Sequence, residues 1–352
     1  MNRFDYHRPT SVAEAVGAGS ADGAAYLGAG TNLLDLMKGG VTQPVRLVDL
    51  TRLPGLDGIE TLANGDVRIG ALVRNSTLAF DPGFAARFPA VAEALLSGAS
   101  PQLRNAATVG GNLLQRTRCA YFYDTASACN RRVPGSGCDA RDGENRLHAV
   151  LGWSEQCIAT HPSDFCVPLV ALDAIVEVEG VDGRRDVPLA ALHRLPGDTP
   201  HVETALMPGE LIVAIRLPAA AGAFAAHQRY IKVRERTSYA FAVVSAAAAL
   251  DIADGRIRAG RLALGGVAAR PWRAAAAEAL LTGEAPTRAT FERAAEAALA
   301  DARASGDNGY KIALARRIAV RALIRAAAGT PDRLPPLPAS PFAAAAGEID
   351  HG

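Results

Sequence analysis

GAGTNLLDLMK, residues 28–38, follows the short apolar run AAYLG (24–28) and precedes VRLVDL (45–50). The order reads strand, glycine turn, amphipathic helix, strand. A turn brings its backbone N–H groups against a phosphate only where bulky Cβ substituents are missing, and Gly28, Gly30 and the cap-type pair Thr31 and Asn32 meet that need. An ordinary strand-to-helix turn fits the same pattern, so these residues alone leave the function open. For the fold they decide more. Asp49 ends the next strand, where a nicotinamide-type dinucleotide fold would put its ribose-binding acid, but Leu33 stands in the place of the third glycine. Nor does the chain settle into repeating strand-helix units, so the expectation is α+β rather than a doubly wound parallel sheet.

On the N-terminal side, Ser11 to Gly17 reads as a capped helical turn. On the C-terminal side DVRIG (66–70) alternates as a strand, Pro89 to Leu96 is helical, and Ala107 to Leu114 is a glycine-broken turn. Strands are expected at Val170–Glu179 and Leu211–Leu217, the latter stopped by Pro218, and the small-residue run 219–226 reads as a linker. Beyond it come strands at Tyr230–Val233, Ala242–Ile252 and Ile257–Val267, then helices near Trp272–Leu281, Arg288–Ala302 and Ile312–Ala328. Three strands and three helices make a compact second domain. Residues 331–352, Pro-rich and then Ala-rich, read as an extended tail.

With 352 residues two domains are the natural expectation. Lys and Arg total 37 against 36 Asp and Glu, which removes the electrostatic footprint of a nucleic-acid or anionic-membrane binder. The start MNRFDYHRPTSVAEA has no apolar stretch of signal-peptide type, and the run Ala240 to Leu250 is too short to span a bilayer. No export signal and no membrane span are expected in the chain.

A second glycine turn, Thr108-Val109-Gly110-Gly111-Asn112, lies about 80 residues after the first. Its glycines permit close backbone approach, while Thr108 and Asn112 offer polar contacts to phosphate or ribityl oxygens. Two such turns suggest one long cofactor gripped from two sides.

All five cysteines fall within residues 119–166. Cys119, Cys129, Cys138 and Cys157 are separated by nine, eight and eighteen residues, without the paired knuckles of structural zinc. Four thiolates can hold a 4Fe-4S cluster or zinc, and the spacing favours the cluster. Arg116, Arg118, Arg131 and Arg132 stand near enough in sequence to offset its charge, unless they form a solvated face. Cys166, in the apolar frame Phe165-Cys166-Val167, is expected to open a strand and to pack in the core. His148 and His161 are ligands by type, though ordinary polar residues of the same loop are the better reading.

Taken together, GAGTNLLDLMK, QLRNAATVGGN (102–112), the block 118–152 with CIATHPSDFCVPLVALDA (157–174), and LMPGELIVAIRLP (206–218) resemble the FAD-binding middle subunits of the xanthine dehydrogenase group of molybdenum hydroxylases. The cysteine loop is similar to that of bacterial periplasmic aldehyde oxidoreductases. The resemblance implies a PCMH-type FAD domain at 1–220, with subdomains about 1–55 and 56–220 and a cluster loop at 119–166. A CO dehydrogenase flavoprotein C-terminal domain would follow at 225–330. It implies that Leu27, Gly28, Ala29, Gly30, Thr31, Asn32 and Leu33 wrap the FAD pyrophosphate, with Thr108, Gly111 and Asn112 as the second grip. Asp124 and Asp164 would surround the flavin, Ile212 would pack near the isoalloxazine, and Lys232 would sit at its reactive edge. Cys119, Cys129, Cys138 and Cys157 would bind a 4Fe-4S cluster.

The implied partners are a small subunit with two 2Fe-2S clusters, a large subunit with molybdopterin cytosine dinucleotide, and an external electron acceptor. Substrate oxidation would occur at molybdenum in the large subunit, with none of the present residues catalytic. Location is then periplasmic by co-export with a signal-bearing partner, or cytoplasmic. A subunit of 4-hydroxybenzoyl-CoA reductase type and a flavin-free zinc scaffold are the rival readings.

Overall fold

The computed structural model describes residues 1–331, so the tail expected at 331–352 lies, but for its first residue, outside the described residues. Three sheets organise the chain. The first is parallel: β1 (Asp5–His7), β2 (Ala24–Leu27) and β3 (Arg46–Asp49), in the order β1-β3-β2. The second is antiparallel: β4 (Ile59–Thr61), β5 (Val67–Gly70), β6 (Ile175–Gly180), β7 (Gly183–Pro188) and β8 (Leu211–Leu217), in the order β4-β5-β8-β6-β7. The third is also antiparallel and holds β9 (Gln228–Val233), β10 (Val244–Ala253), β11 (Arg256–Gly265) and β12 (Trp272–Arg273), in the order β12-β11-β10-β9.

β10 explains how the parts adhere. Its residues are small and buried on both faces: Ala247 and Ala249 join the core built on β5, β6 and β8, while Ala246, Ala248 and Leu250 join the core under the helix Tyr310–Ala327. Side chains alternate across a strand, so a run of alanines lets two layers approach one backbone at once. The second domain is therefore seated in the first.

Several local expectations are corrected. Cys166 opens a helix, Cys166–Ala171, and β6 begins only at Ile175, after Asp173 turns the chain at φ +57°. A short apolar run does not reveal its period, and Pro168 is tolerated in the first helical turn because its missing N–H has no partner there anyway. The turn at 107–114 contains the helix Val109–Leu113, whose first N–H groups reach Val73 O and Gly110's partner Ala71 O, both at 2.9 Å. The expected linker is a 3-10 helix, Ala219–His227, tied down by Ala219 N–H to Asp66 at 2.8 Å and by buried Ala221 and Phe224. The third sheet gains a fourth strand in β12, which delays the next helix to Ala275. Among the described residues no helix is long and apolar enough to cross a membrane.

Residues 119–165 contain only the short helix Ala120–Tyr123 and a 3-10 turn at Asp139–Arg141. Side chains replace ladders here. Arg132 donates to Tyr121 O and Phe122 O at 2.8 Å, and Asn130 bridges Gln156 O (3.1 Å) and Gly137 N–H (2.9 Å). Asn308 donates to His148 O and Ala149 O at 3.1 and 3.0 Å. Lys311, fully buried, donates to Leu147 O and His148 O at 2.8 Å and to Gly266 O at 2.6 Å. Burial pulls the Lys311 amine down to about 7, but three accepting carbonyls require three N–H groups, which only the ammonium has.

Candidate functional site

The two glycine turns meet. Thr108 caps the helix Val109–Leu113 by accepting Gly111 N–H on its Oγ1 at 3.3 Å. A Cβ on Gly28 would stand 3.0 Å from that same oxygen, so the absence of a side chain is what lets the turns close. Gly30 takes φ +77°, a conformation favouring glycine, whereas Ala29 stays out of the positive-φ region and its methyl is accommodated. Asn32 precedes the helix Leu33–Lys38 and gives its side-chain oxygen to Arg118 at 2.5 Å rather than capping the helix.

Beside the closed turns lies a cavity of about 530 Å³ where the two subdomains and the C-terminal domain converge. Thr31, Asn32, Asn112 and Asp164 contribute to its wall, while Leu27, Gly28, Ala29, Gly30, Leu33, Thr108 and Gly111, which make up the two turns, do not. Of twelve buried side-chain atoms without a hydrogen-bond partner among the described residues, six belong to this wall: Asn75 Oδ1, Arg104 Nε, Arg118 Nε, His148 Nδ1, His161 Nε2 and Ser245 Oγ. Protein interiors satisfy nearly all such groups, so their concentration around one cavity points to a polar ligand that completes them. Ala99 and Tyr239, at φ 52° and 50°, stand in the same wall. Strained backbone gathers at ligand sites.

Arg104 is the residue that sequence reasoning missed, although it lies inside the quoted stretch QLRNAATVGGN. Its Nη1 donates to Gly98 O at 2.7 Å, and its pKa is lowered by burial alone, so no carboxylate compensates it. A buried guanidinium without a counter-ion suits a phosphate. Asn112 spends its amide oxygen on Gln115 (2.6 Å) and the Ser163 hydroxyl (2.7 Å), which leaves the NH₂ to offer a ligand.

Asp164 is buried and accepts from the Tyr230 hydroxyl at 2.5 Å and from Lys232 Nζ at 2.7 Å. Burial first, then Asp164, pushes the Tyr230 phenol well above its ordinary pKa. Lys232, also bonded to Ser97 O at 3.1 Å, is outside the cavity wall and acts on the cavity only through Asp164. Two further expectations are displaced. Ile212 is buried in the core of the second sheet, paired with Val178, and not in the cavity wall. Asp124 is exposed at the end of the helix Ala120–Tyr123, where it accepts Ala126 N–H (3.0 Å) and the Ser127 hydroxyl (2.7 Å). Asp49 is engaged by Tyr6, by Arg8 at 3.2 Å and by Thr51 N–H at 2.9 Å, which leaves it unsuited to a ribose.

The four spaced cysteines gather beside this wall, to which Cys119 itself contributes. Cys129 and Cys138 face each other across an isolated antiparallel bridge. Burial raises the Cys119 thiol to about 11, with Cys129 and Cys157 adding to it, and burial and the same two neighbours raise Cys138. Buried Arg131 lies near Cys157 and bonds at 2.8 Å to Glu203. Cys166 is fully buried in the main core and lies apart from this group, with His161 and His193, all three potential ligand atoms within 4.8 Å of one another. That trio lacks the tautomer a metal needs: His161 Nδ1 accepts Ser163 N–H at 3.4 Å, which puts the ring proton on Nε2.

Comparison with known proteins follows the same division of the chain. Residues 2–220 match the family described as FAD binding domain in molybdopterin dehydrogenase, and residues 229–326 match the CO dehydrogenase flavoprotein C-terminal domain. The aldehyde oxidoreductase FAD-binding subunit PaoB of Escherichia coli (strain K12) is 49% identical over 330 residues, covering 93% of this chain and 99% of PaoB. The carbon monoxide dehydrogenase medium chain of Hydrogenophaga pseudoflava is 30% identical over 328 residues, 91% of this chain and 96% of that one. A solved structure of carbon monoxide dehydrogenase from that organism superposes with a TM-score of 0.72 at 31% identity, covering 93% and 98% of the two chains. Quinoline 2-oxidoreductase from Pseudomonas putida 86 gives 0.71 at 26% identity, with 93% and 98% covered.

Proposed function

Since the chain belongs to the FAD-binding medium subunits of the molybdenum hydroxylases, we propose that it serves an aldehyde oxidoreductase, receiving electrons from iron-sulfur and molybdenum subunits and passing them through FAD to an external acceptor. The carrying observation is the cavity wall with its six unsatisfied polar atoms, set against the closed pair of glycine turns. The near-complete alignment with PaoB supports the aldehyde class within the family.

The residues fit FAD by chemistry as well as by shape. Arg104 and the backbone N–H groups of the turns would hold the pyrophosphate, and Asn112 NH₂ and Thr31 would hold hydroxyl or phosphate oxygens. Asp164, with its charge fixed by Lys232 and its second oxygen by Tyr230, would stand as an oriented acceptor beside the bound ring system. Flavin, once bound, supplies the two-electron capacity that single-electron carriers lack.

The same proposal includes a 4Fe-4S cluster on Cys119, Cys129, Cys138 and Cys157. The Cys119 and Cys138 thiols, raised by burial and by the neighbouring Cys129 and Cys157, become thiolates readily only with a cationic centre among them. The spacing favours a cluster over one zinc ion, because zinc bonds of about 2.3 Å would draw sulfurs to about 3.8 Å, and no three of these sulfurs lie mutually within 4.8 Å.

The test is composition of the purified complex. About one FAD and four additional irons per copy of this chain are expected, with flavin measured by fluorescence after denaturation. Thr108→Val should weaken flavin retention by about 1 kcal/mol, through the lost helix cap and the loosened turn contact. An active, fully metallated complex without flavin would refute the FAD reading, and zinc without acid-labile sulfide would refute the cluster.

A further inference from the structure

Of the four cysteines expected to hold the cluster, Cys119 alone contributes to the wall of the flavin cavity. His148 stands beside it in the same wall, with Nε2 3.2 Å from the Cys119 sulfur. Its main chain is firmly held. His148 N–H donates to Asn145 O at 2.9 Å, its carbonyl accepts from Lys311 and Asn308, and the residue is buried. We propose that His148 tunes the cluster at the one ligand that faces the flavin, by donating an N–H···S hydrogen bond to Cys119, and so positions and poises the point where electrons leave the cluster for FAD. The inference rests on the cluster reading given above.

The chemistry fixes the direction. An iron-bound thiolate has lone pairs and no proton, so it can only accept, and His148 must then carry its proton on Nε2. The cluster, held by Cys119, Cys129, Cys138 and Cys157, would supply one-electron transfer, with Cys119 as its ligand on the side of the flavin cavity. Reduction adds negative charge to the cluster and its sulfurs. A hydrogen bond to a sulfur is therefore stronger in the reduced state and raises the potential. Arg131 stands near Cys157, but Glu203 offsets its charge and Cys157 is not in the cavity wall. His148 is the uncompensated donor on the flavin side.

The experiment is a reductive titration of the intact complex, following the cluster by electron paramagnetic resonance, for the parent, His148→Phe and His148→Gln. Phe fills the ring's space without a donor, and Gln restores an N–H. The expected result is full iron in both variants, a lowered midpoint potential in the Phe variant and recovery toward the parent in the Gln variant. Full iron with an unchanged potential in the Phe variant overturns the proposal. If the Phe variant loses iron, His148→Leu is titrated in its place, and full iron with an unchanged potential there overturns the proposal. A parent complex with no iron at this site would instead defeat the cluster reading beneath it.

Discussion

Residues 119–165 and strand β10 are both thoroughly buried in places, yet they are ordered by opposite means. β10 is held by a ladder on each side and by alanines on both faces, so its order comes from apolar burial and main-chain pairing. The loop has almost no ladder and buries Asn130, Arg131, Asn145, His148 and Ser163 instead. Its order comes from side chains that find specific partners, many of them contributed by residues after 300. The difference teaches where each region is vulnerable: β10 to changes of volume, the loop to the loss of any single partner.

The sharpest way to break the contrast is at the thiols. Cys129→Ser is expected to abolish the additional iron and expose 119–165 to proteolysis and hydrogen exchange, while the amides of β10 keep their protection. Cys166→Ala should leave iron unchanged, although its cavity in the core lowers stability. Iron loss in the Cys166 variant would show that the wrong quartet was chosen. A smaller break is Lys311→Met, which keeps the aliphatic stem and strands three carbonyls. A loss of about 3 kcal/mol in urea unfolding is expected, given ordinary values for hydrogen bonds to a charged donor. Loop amides near Leu147 should lose protection first; a change below about 1 kcal/mol would show that water replaces the ammonium without penalty.

Acid gives the mildest separation. Burial lowers His148 and His193 to about 4 and His161 well below its ordinary value. The unfolded chain therefore binds protons below about 6.5 that the folded chain refuses, and stability falls as pH drops from about 6.5 toward 4. These three histidines lie in or against the loop, so exchange measured at pH 5 should open 145–165 before β10. A pH-independent order of opening would remove the histidines from the account.

Legibility in the sequence follows the same line. Three strands of the third sheet and the helix Tyr310–Ala327 are legible because apolar runs and period are local properties, and the gathering of cysteines is legible because it departs from composition. Cys166–Ala171 was misread because six buried residues on a short segment show no period. Arg104 was quoted without a role because only the folded chain shows that no carboxylate reaches it. Ile212 and Lys232 were placed at the flavin by resemblance, yet the register of β8 sends the first into the core and the Asp164 contact holds the second one step behind the wall. Such facts depend on pairings of residues far apart in the chain, and local pattern cannot carry them.

The clamp from Lys311 to the carbonyls of Leu147 and His148 also sets a clock. The two ends are separated by 164 and 163 residues, and a ribosome adding roughly 5–20 residues per second needs about 10–30 s to cover that distance. Until then the cysteine loop has emerged without its fastener. On the cluster reading, its thiols would be open to iron and sulfide during that interval, until the helix Tyr310–Ala327 is made. Slower translation of 160–310 is expected to raise cluster occupancy where delivery is limiting, a dependence that iron analysis of synonymous-codon variants would reveal.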